Sequence, residues 1–137
     1  MKQHTTNYTN AFIQVADDCA ATAGEIPPVK GNKPTVANIQ FEMIRKHPYR
    51  YTSDDVIFEV FAQKNDLTKA GYKAARTAFF SKGQPCLRTS PLTKRYGWGV
   101  HSNAEGKIAI YGVETKEYAQ FSKDKSLQVV KAMRSSR

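Results

Sequence analysis

The chain has 137 residues, of which 40% are hydrophobic and 24% charged, and its formal net charge is +9. This length suits one domain with its own core. Since no apolar run approaches the roughly 20 residues that cross a bilayer, and the first residues lack the apolar stretch of a secretion signal, we expect a cytoplasmic protein with no membrane association.

The first half of the chain is predicted to form one strand and two helices. An apolar, β-prone run predicts a buried strand at about 11–16, and prolines keep residues 24–34 irregular. Apolar residues at helical spacing predict a helix that begins near Thr35 and ends before Pro48. Thr52 and Asp55 have the spacing of a capping box and predict a helix over about 53–64, although its β-branched residues also fit a strand.

The second half is predicted to contain a helix, a hairpin and a helical end. The helix from about Thr68 to Phe80 carries Lys69, Lys73 and Arg76 on one face, with no acidic residues to pair with them. A β pattern on both sides of a turn predicts a hairpin over about 95–113. Helices are expected over 116–121 and about 125–133.

These elements indicate an α+β fold with a single domain over residues 1–137. It would contain four to five helices and a small antiparallel sheet made of the hairpin at about 95–113 and the strand at about 11–16. Three helices followed by a hairpin resemble a winged helix-turn-helix, with the helix of residues 68–80 as recognition helix and the hairpin as wing.

The hairpin has glycines on one face. Alternation places Trp98 with its aromatic and β-branched neighbours on one side, and Gly97 and Gly99 on the other. With a four-residue turn, Trp98 would lie opposite Tyr111, and the bare face would admit a ligand or a helix of the same protein. A five-residue turn would instead lay Tyr111 opposite Gly97.

One segment carries most of the charge imbalance, because seven Lys and Arg residues and no Asp or Glu lie between residues 67 and 104. Such a segment attracts phosphates. The alternative interpretation is a solvated basic surface that only keeps the protein soluble. The candidate nucleic-acid- or anion-binding residues are these cations with two aromatic residues and a histidine beside them: Lys69, Lys73, Arg76, Lys82, Arg88, Lys94, Arg95, Tyr96, Trp98 and His101. A smaller alternative is an anion nest at Lys30, Gly31 and Lys33.

The sequence contains no motif for catalysis, cofactor binding or metal binding. Cys19 and Cys86 stand apart from each other, with no histidine at metal-ligand spacing, and are expected to be free thiols. His101 is the one histidine whose surroundings suit acid–base chemistry, but a packed strand histidine is the simpler interpretation. We expect no catalytic residue, no cofactor and no metal, and the sequence does not favour an enzyme.

The string SPLTKRYGWG at residues 90–99, with EIPPVKG at 25–31 and YTSDDV at 51–56, resembles an uncharacterised bacterial family of short proteins, the domain of unknown function 6157. The resemblance covers nearly the whole chain. It implies a bacterial source and supplies no activity, ligand or catalytic residue.

Three hypotheses follow from these observations. The first is a nucleic-acid-binding module that contacts phosphates through residues 67–104. The second is a module that docks on an acidic protein or ribonucleoprotein with the same basic face. The third is a binding domain or enzyme for a small anionic metabolite, in which Arg88, Arg95 and His101 converge on one pocket. The oligomeric state does not follow from the sequence.

Overall fold

A four-stranded sheet forms the centre of the protein in a computed structural model that describes residues 2–135. Its strands are β1 (Ala11–Gln14), β2 (Trp98–Ser102), β3 (Ile108–Gly112) and β4 (Gln128–Lys131), in the order β3-β2-β1-β4. β1 pairs antiparallel with β2 and parallel with β4. The three predicted strands pair antiparallel as expected, and the fourth strand, β4, which was not predicted, makes the sheet mixed.

Five helices occur within the described residues, which confirms the predicted α+β fold. They are α1 (Val36–Lys46), α2 (Ser53–Lys64), α3 (Lys69–Phe79), the short α4 (Pro91–Lys94) and α5 (Lys116–Lys123). A threonine side chain accepts a hydrogen bond from the backbone amide three residues on at the start of four of them, at Thr35, Thr52, Thr68 and Thr115. Capping at Thr52 explains why residues 53–64 form a helix although their composition also fits a strand. None of these helices is long and apolar enough to cross a bilayer.

The helices α1, α2 and α4 pack on one face of the sheet. Ile13 and Val100 from the strands share one buried cluster with Ile44, Val56 and Leu92 from the helices. All five side chains are at most 2% exposed. Burial of each such side chain stabilises the fold by about 1.5–3 kcal/mol.

The opposite face of the sheet is covered by α5. The rings of Phe12 and Tyr118 meet edge to face with centroids 5.0 Å apart. A Cβ atom on Gly99 would lie 2.6 Å from Phe12 Cζ and 2.7 Å from Tyr118 Cε2, so only a glycine admits both rings at this position. The space at Gly99 is thus filled by the strand β1 and the helix α5 of the same protein, and Gly97 lies against Ala21 and Ala23 of an irregular segment.

The hairpin is confirmed, but both registers predicted for it are wrong. Trp98 lies opposite Gly112, and Gly99 lies opposite Tyr111. The turn over residues 103–107 is organised by Asn103, whose side-chain oxygen accepts two backbone amides of the turn. This local Asx geometry sets the register, and hydrophobic alternation alone does not specify it.

The surroundings of the hairpin differ from those of a winged helix-turn-helix. β2 lies between β3 and β1, and both of its faces are covered. The hairpin is therefore built into the sheet through the pairing of β2 with β1, and β3 forms the sheet edge, whereas a wing projects from its domain.

The predicted helix at about 125–133 is wrong, because this segment contains β4. The amide of Gln128 donates to Asn10 O and the amide of Ala132 donates to Gln14 O, each at 2.9 Å. Leu127, Val130 and Met133 do have helical spacing, but pairing with the open edge of β1 overrides this local preference.

Candidate anion-binding cleft

The cationic face of α3 is not free of acidic partners. Arg76 Nη2 lies 2.8 Å from the Asp55 Oδ1 atom on α2, and the guanidinium also lies 5.9 Å from the ring centroid of Phe58 and 5.7 Å from that of Phe80. The prediction that this face lacks acidic partners is therefore wrong at Arg76. The partner comes from a different helix, which a reading along one helix does not detect.

Neighbouring positions on α3 also meet carboxylates of α2 and its following turn. The Tyr72 hydroxyl donates to Glu59 Oε1 at 2.9 Å, and burial, with Glu59 beside it, raises the pKa of Tyr72 to about 12. Lys69 lines a surface cavity together with Glu59 and Asp66. Lys73 is exposed. The face of α3 thus has mixed charge.

The two aromatic candidates differ in accessibility. Trp98 is only 7% exposed, and its indole N–H donates to Glu25 O at 2.8 Å. Its ring lies 5.6 Å from Phe41 between centroids, and the Arg45 guanidinium lies over it. Trp98, one of the two aromatic candidates for binding, therefore belongs to the core and is not accessible for stacking on bases. Tyr96 is partly exposed.

His101 lies on the sheet face that α5 covers. Its Nδ1 atom is 2.8 Å from Tyr49 Oη, and its ring stacks on Phe121 with centroids 4.1 Å apart. Burial lowers the pKa of His101, against the attraction of Asp124. This environment is that of a packed strand histidine.

The remaining cationic candidates are dispersed. Arg88 Nε donates to the Lys131 carbonyl at 2.6 Å and ties its loop to the end of β4. Lys82 is exposed and Lys94 is partly exposed. Because Arg88 lies beside β4 and His101 under α5, these two do not share a pocket with Arg95.

Arg95 instead lines a cleft of about 420 Å³ together with Lys30, Lys33 and Lys64. We call these four residues and Tyr96 the basic cleft. Its other lining residues are prolines and the start of α1: Pro28, Pro34, Thr35, Val36, Ala37 and Pro91. No Asp or Glu lines it in the described part of the chain. One carboxylate, Asp66, lies near Lys33 and Lys64 around a neighbouring cavity.

Segments far apart in sequence build the basic cleft. Lys64 is the last residue of α2, and Arg95 follows the last residue of α4. Lys30 and Lys33 come from an irregular segment that the Asn38 amide holds by donating to Pro27 O at 3.1 Å and Pro28 O at 3.3 Å. The first turn of α1 lines the same cleft and adds the positive end of its helix dipole.

The four cations of the cleft differ from the predicted set. Arg95 and Tyr96 belong to the predicted set, and Lys30 and Lys33 to the smaller anion nest that was the alternative. Lys64 was not predicted, because nothing in its local pattern distinguishes it from an ordinary charge at the end of a helix. None of the four forms an ion pair within residues 2–135, and Lys64 Nζ donates to Pro34 O at 3.3 Å.

The model of a family of unknown function (DUF6157) matches residues 3–137. The chain belongs to this family. The matched range includes every residue of the basic cleft, so the cleft lies within the DUF6157 region. No curated protein and no solved structure matches the chain. Among the described residues, no group of three or more His, Cys, Asp or Glu side chains is placed to hold a metal ion.

Proposed function

We propose that this protein binds nucleic acid by placing backbone phosphates in the basic cleft. The observation that carries the proposal is the meeting of Lys30, Lys33, Lys64 and Arg95 around one concavity whose described lining contains no carboxylate. None of the four forms an ion pair with a described carboxylate, so their charge remains available for an external anion. Phosphates are contacted chiefly by Lys and Arg side chains and by the starts of helices.

The overall charge supports the same function. A net charge of +9 attracts a polyanion over a distance and raises the rate of encounter. The planar guanidinium of Arg95 can make two parallel hydrogen bonds to one phosphate, while the lysines act as point charges. We also place the protein in the cytoplasm, which contains nucleic acid and keeps the two free cysteines, Cys19 and Cys86, reduced.

A titration of a fluorescent oligothymidylate, followed by anisotropy at several salt concentrations, tests the proposal. On a single strand, log K falls with log salt by about 0.7 per neutralised phosphate. Four contacts therefore give a slope of roughly −3. The double variant Lys33→Glu/Arg95→Glu is expected to bind at least about tenfold more weakly and with a shallower slope.

A matched control distinguishes the effect of the cleft residues on binding from the effect of the net charge. Lys116→Glu/Lys125→Glu makes the same change in charge at two exposed positions, one at the start of α5 and one in the turn that follows it. It should retain binding within about threefold, because screening confines charge effects to about 8–10 Å at physiological salt. Equal losses in the two variants, or binding by the wild-type protein without a salt slope, would overturn the proposal.

A small phosphorylated metabolite is the second candidate, because the cleft is concave and its volume of about 420 Å³ falls within the range of small-molecule sites. Calorimetry with pyrophosphate and with a nucleoside triphosphate distinguishes it. Saturable binding of either compound that is tighter than binding of the oligothymidylate would favour the metabolite over nucleic acid.

A further inference from the structure

We propose that an apolar groove beside the basic cleft receives one unpaired nucleobase and makes the protein selective for single strands. This inference rests on the proposed function. The groove has a volume of about 330 Å³ and shares Val36, Lys64 and Pro91 with the basic cleft. Lys64 therefore stands where the two cavities meet. A strand whose phosphate binds Lys64 has its attached base within reach of the groove.

The groove presents aromatic and aliphatic surface to such a base. Its apolar lining is contributed by the four helices α1 to α4 and the loop that precedes α4: Val36, Ile57, Val60, Phe61, Phe79, Pro85 and Pro91. The rings of Phe61 and Phe79 lie 4.7 Å apart between centroids, inclined by 43°, and both residues are partly exposed. Bases of every kind stack on aromatic side chains.

The lining also contains a polar group suited to a base edge. Gln40 is 5% exposed and lines the groove. Its Oε1 atom accepts a hydrogen bond from Ser90 Oγ at 2.5 Å, whereas its amide nitrogen has no partner among the described residues. Within residues 2–135, every fully buried side-chain nitrogen or oxygen has a hydrogen-bond partner, so this nitrogen is not fully buried and is accessible to solvent or a ligand.

This free donor favours a base over an alkyl chain. The ring nitrogens and carbonyl oxygens of bases accept hydrogen bonds from glutamine amides. An acyl chain in the groove would cover the Gln40 amide without satisfying it, which is unfavourable. Lys64, the one cation in the groove's described lining, lies between the two cavities and would bind the phosphate attached to the base.

Selectivity for single strands follows because only an unpaired base can enter the groove. A base within a duplex is stacked on both sides and hydrogen-bonded at its edge, so it must leave the helix before it can enter a groove. The basic cleft alone would not distinguish the two forms, because both carry phosphates. The groove therefore adds a preference for strands whose bases are already unpaired.

The test compares two strands that carry the same phosphates, an oligothymidylate and an abasic strand of equal length. The wild-type protein is expected to bind the oligothymidylate about tenfold or more tightly. Val60→Tyr, which fills the groove, should bring the two affinities within about twofold and leave that for the abasic strand unchanged. Val129→Tyr, at a partly exposed valine of β4, is the matched control and should behave as the wild-type protein.

The outcomes separate the two proposals. Equal affinity of the wild-type protein for both strands, with the salt slope intact, would overturn the base site and leave the phosphate cleft standing. Binding of neither strand would overturn the proposed function itself. Tighter binding of dodecyl phosphate than of thymidine monophosphate would show that the groove takes an alkyl chain instead. The comparison of strands on the wild-type protein requires no variant to fold.

Discussion

The Tyr49 hydroxyl lies 2.8 Å from His101 Nδ1 and 2.9 Å from the Tyr111 hydroxyl. Tyr49 follows Pro48 and has φ of 60°, a left-handed conformation that is uncommon for a bulky residue. Its backbone N–H donates to Ile108 O at 2.8 Å, which holds it against the edge of β3. A strained backbone position is thus maintained where a tyrosine joins two side chains of the sheet.

Acid is expected to destabilise the protein through His101. Burial lowers the pKa of His101 below its ordinary value of 6.5, so the unfolded chain takes up the proton more readily than the folded protein does. The stabilising contribution is present above pH 6.5 and is lost as pH falls below 6.5 through the folded pKa. Urea unfolding between pH 8 and 5 should show a smaller loss of stability for His101→Gln than for the wild-type protein. Identical pH dependence in both proteins would contradict this assignment.

Alkali is expected to destabilise the protein through buried tyrosines. Burial, together with the neighbouring Tyr111, raises the pKa of Tyr49 above its ordinary value of 10.0, so the unfolded chain loses that proton first. The free energy of unfolding therefore decreases as pH rises above 10.0. Tyr49→Phe should show a weaker decrease between pH 9 and 11, because phenylalanine has no proton to release. Tyr96→Phe, at a partly exposed phenol, is the control that should retain the full decrease.

Substitution of Gly99 by alanine is expected to disrupt the packing of α5 on the sheet. The added methyl group would lie 2.6 Å from Phe12 Cζ and 2.7 Å from Tyr118 Cε2, so at least one ring must move. Overpacking of this kind lowers the free energy of unfolding by about 1–3 kcal/mol. Chemical denaturation measures the effect directly.

Gly71→Ala is the matched control for that substitution. Gly71 lies within α3, and a Cβ atom there would meet only Thr68 Oγ1, at 3.7 Å. At an exposed position inside a helix, alanine raises the free energy of unfolding by about 0.5–1 kcal/mol relative to glycine. Opposite signs for the two Gly→Ala changes are therefore expected, and a stabilising effect at Gly99 would show that α5 does not pack as described.

Local patterns predicted the elements whose determinants are close together in sequence. The threonine caps at Thr35, Thr52 and Thr68 and the turn at Asn103 act over three or four residues, so the helices α1 to α3 and the hairpin could be predicted. β4 could not, because its strand geometry depends on pairing with β1, more than a hundred residues away.

The candidate site shows the same limit. Asp55 on α2 neutralises Arg76 on α3. Lys64 and Arg95 line the same cleft although about thirty residues separate them in sequence. A count of charges along the sequence detects neither relationship. The net positive charge was therefore predictable, whereas the positions of the cations that have no carboxylate partner depend on tertiary packing.

Arg76 and Arg95 are expected to differ in what their removal affects. Arg76 is paired with Asp55 and packed against Phe58 and Phe80, so Arg76→Ala should lower the free energy of unfolding by about 1 kcal/mol. Its charge is already engaged by the protein, and oligothymidylate affinity should therefore change by about twofold or less. Arg95 is exposed in the basic cleft, and Arg95→Ala should leave stability within about 0.5 kcal/mol while reducing the salt slope by about 0.7.

Measurement of both quantities on both variants makes the comparison decisive. Urea unfolding reports stability, and anisotropy titrations at several salt concentrations report binding. Both variants remove one positive charge, so each serves as the charge-matched control of the other. If Arg76→Ala weakened binding as much as Arg95→Ala did, phosphates would contact the face of α3, and the binding site would have to move from the basic cleft to that helix.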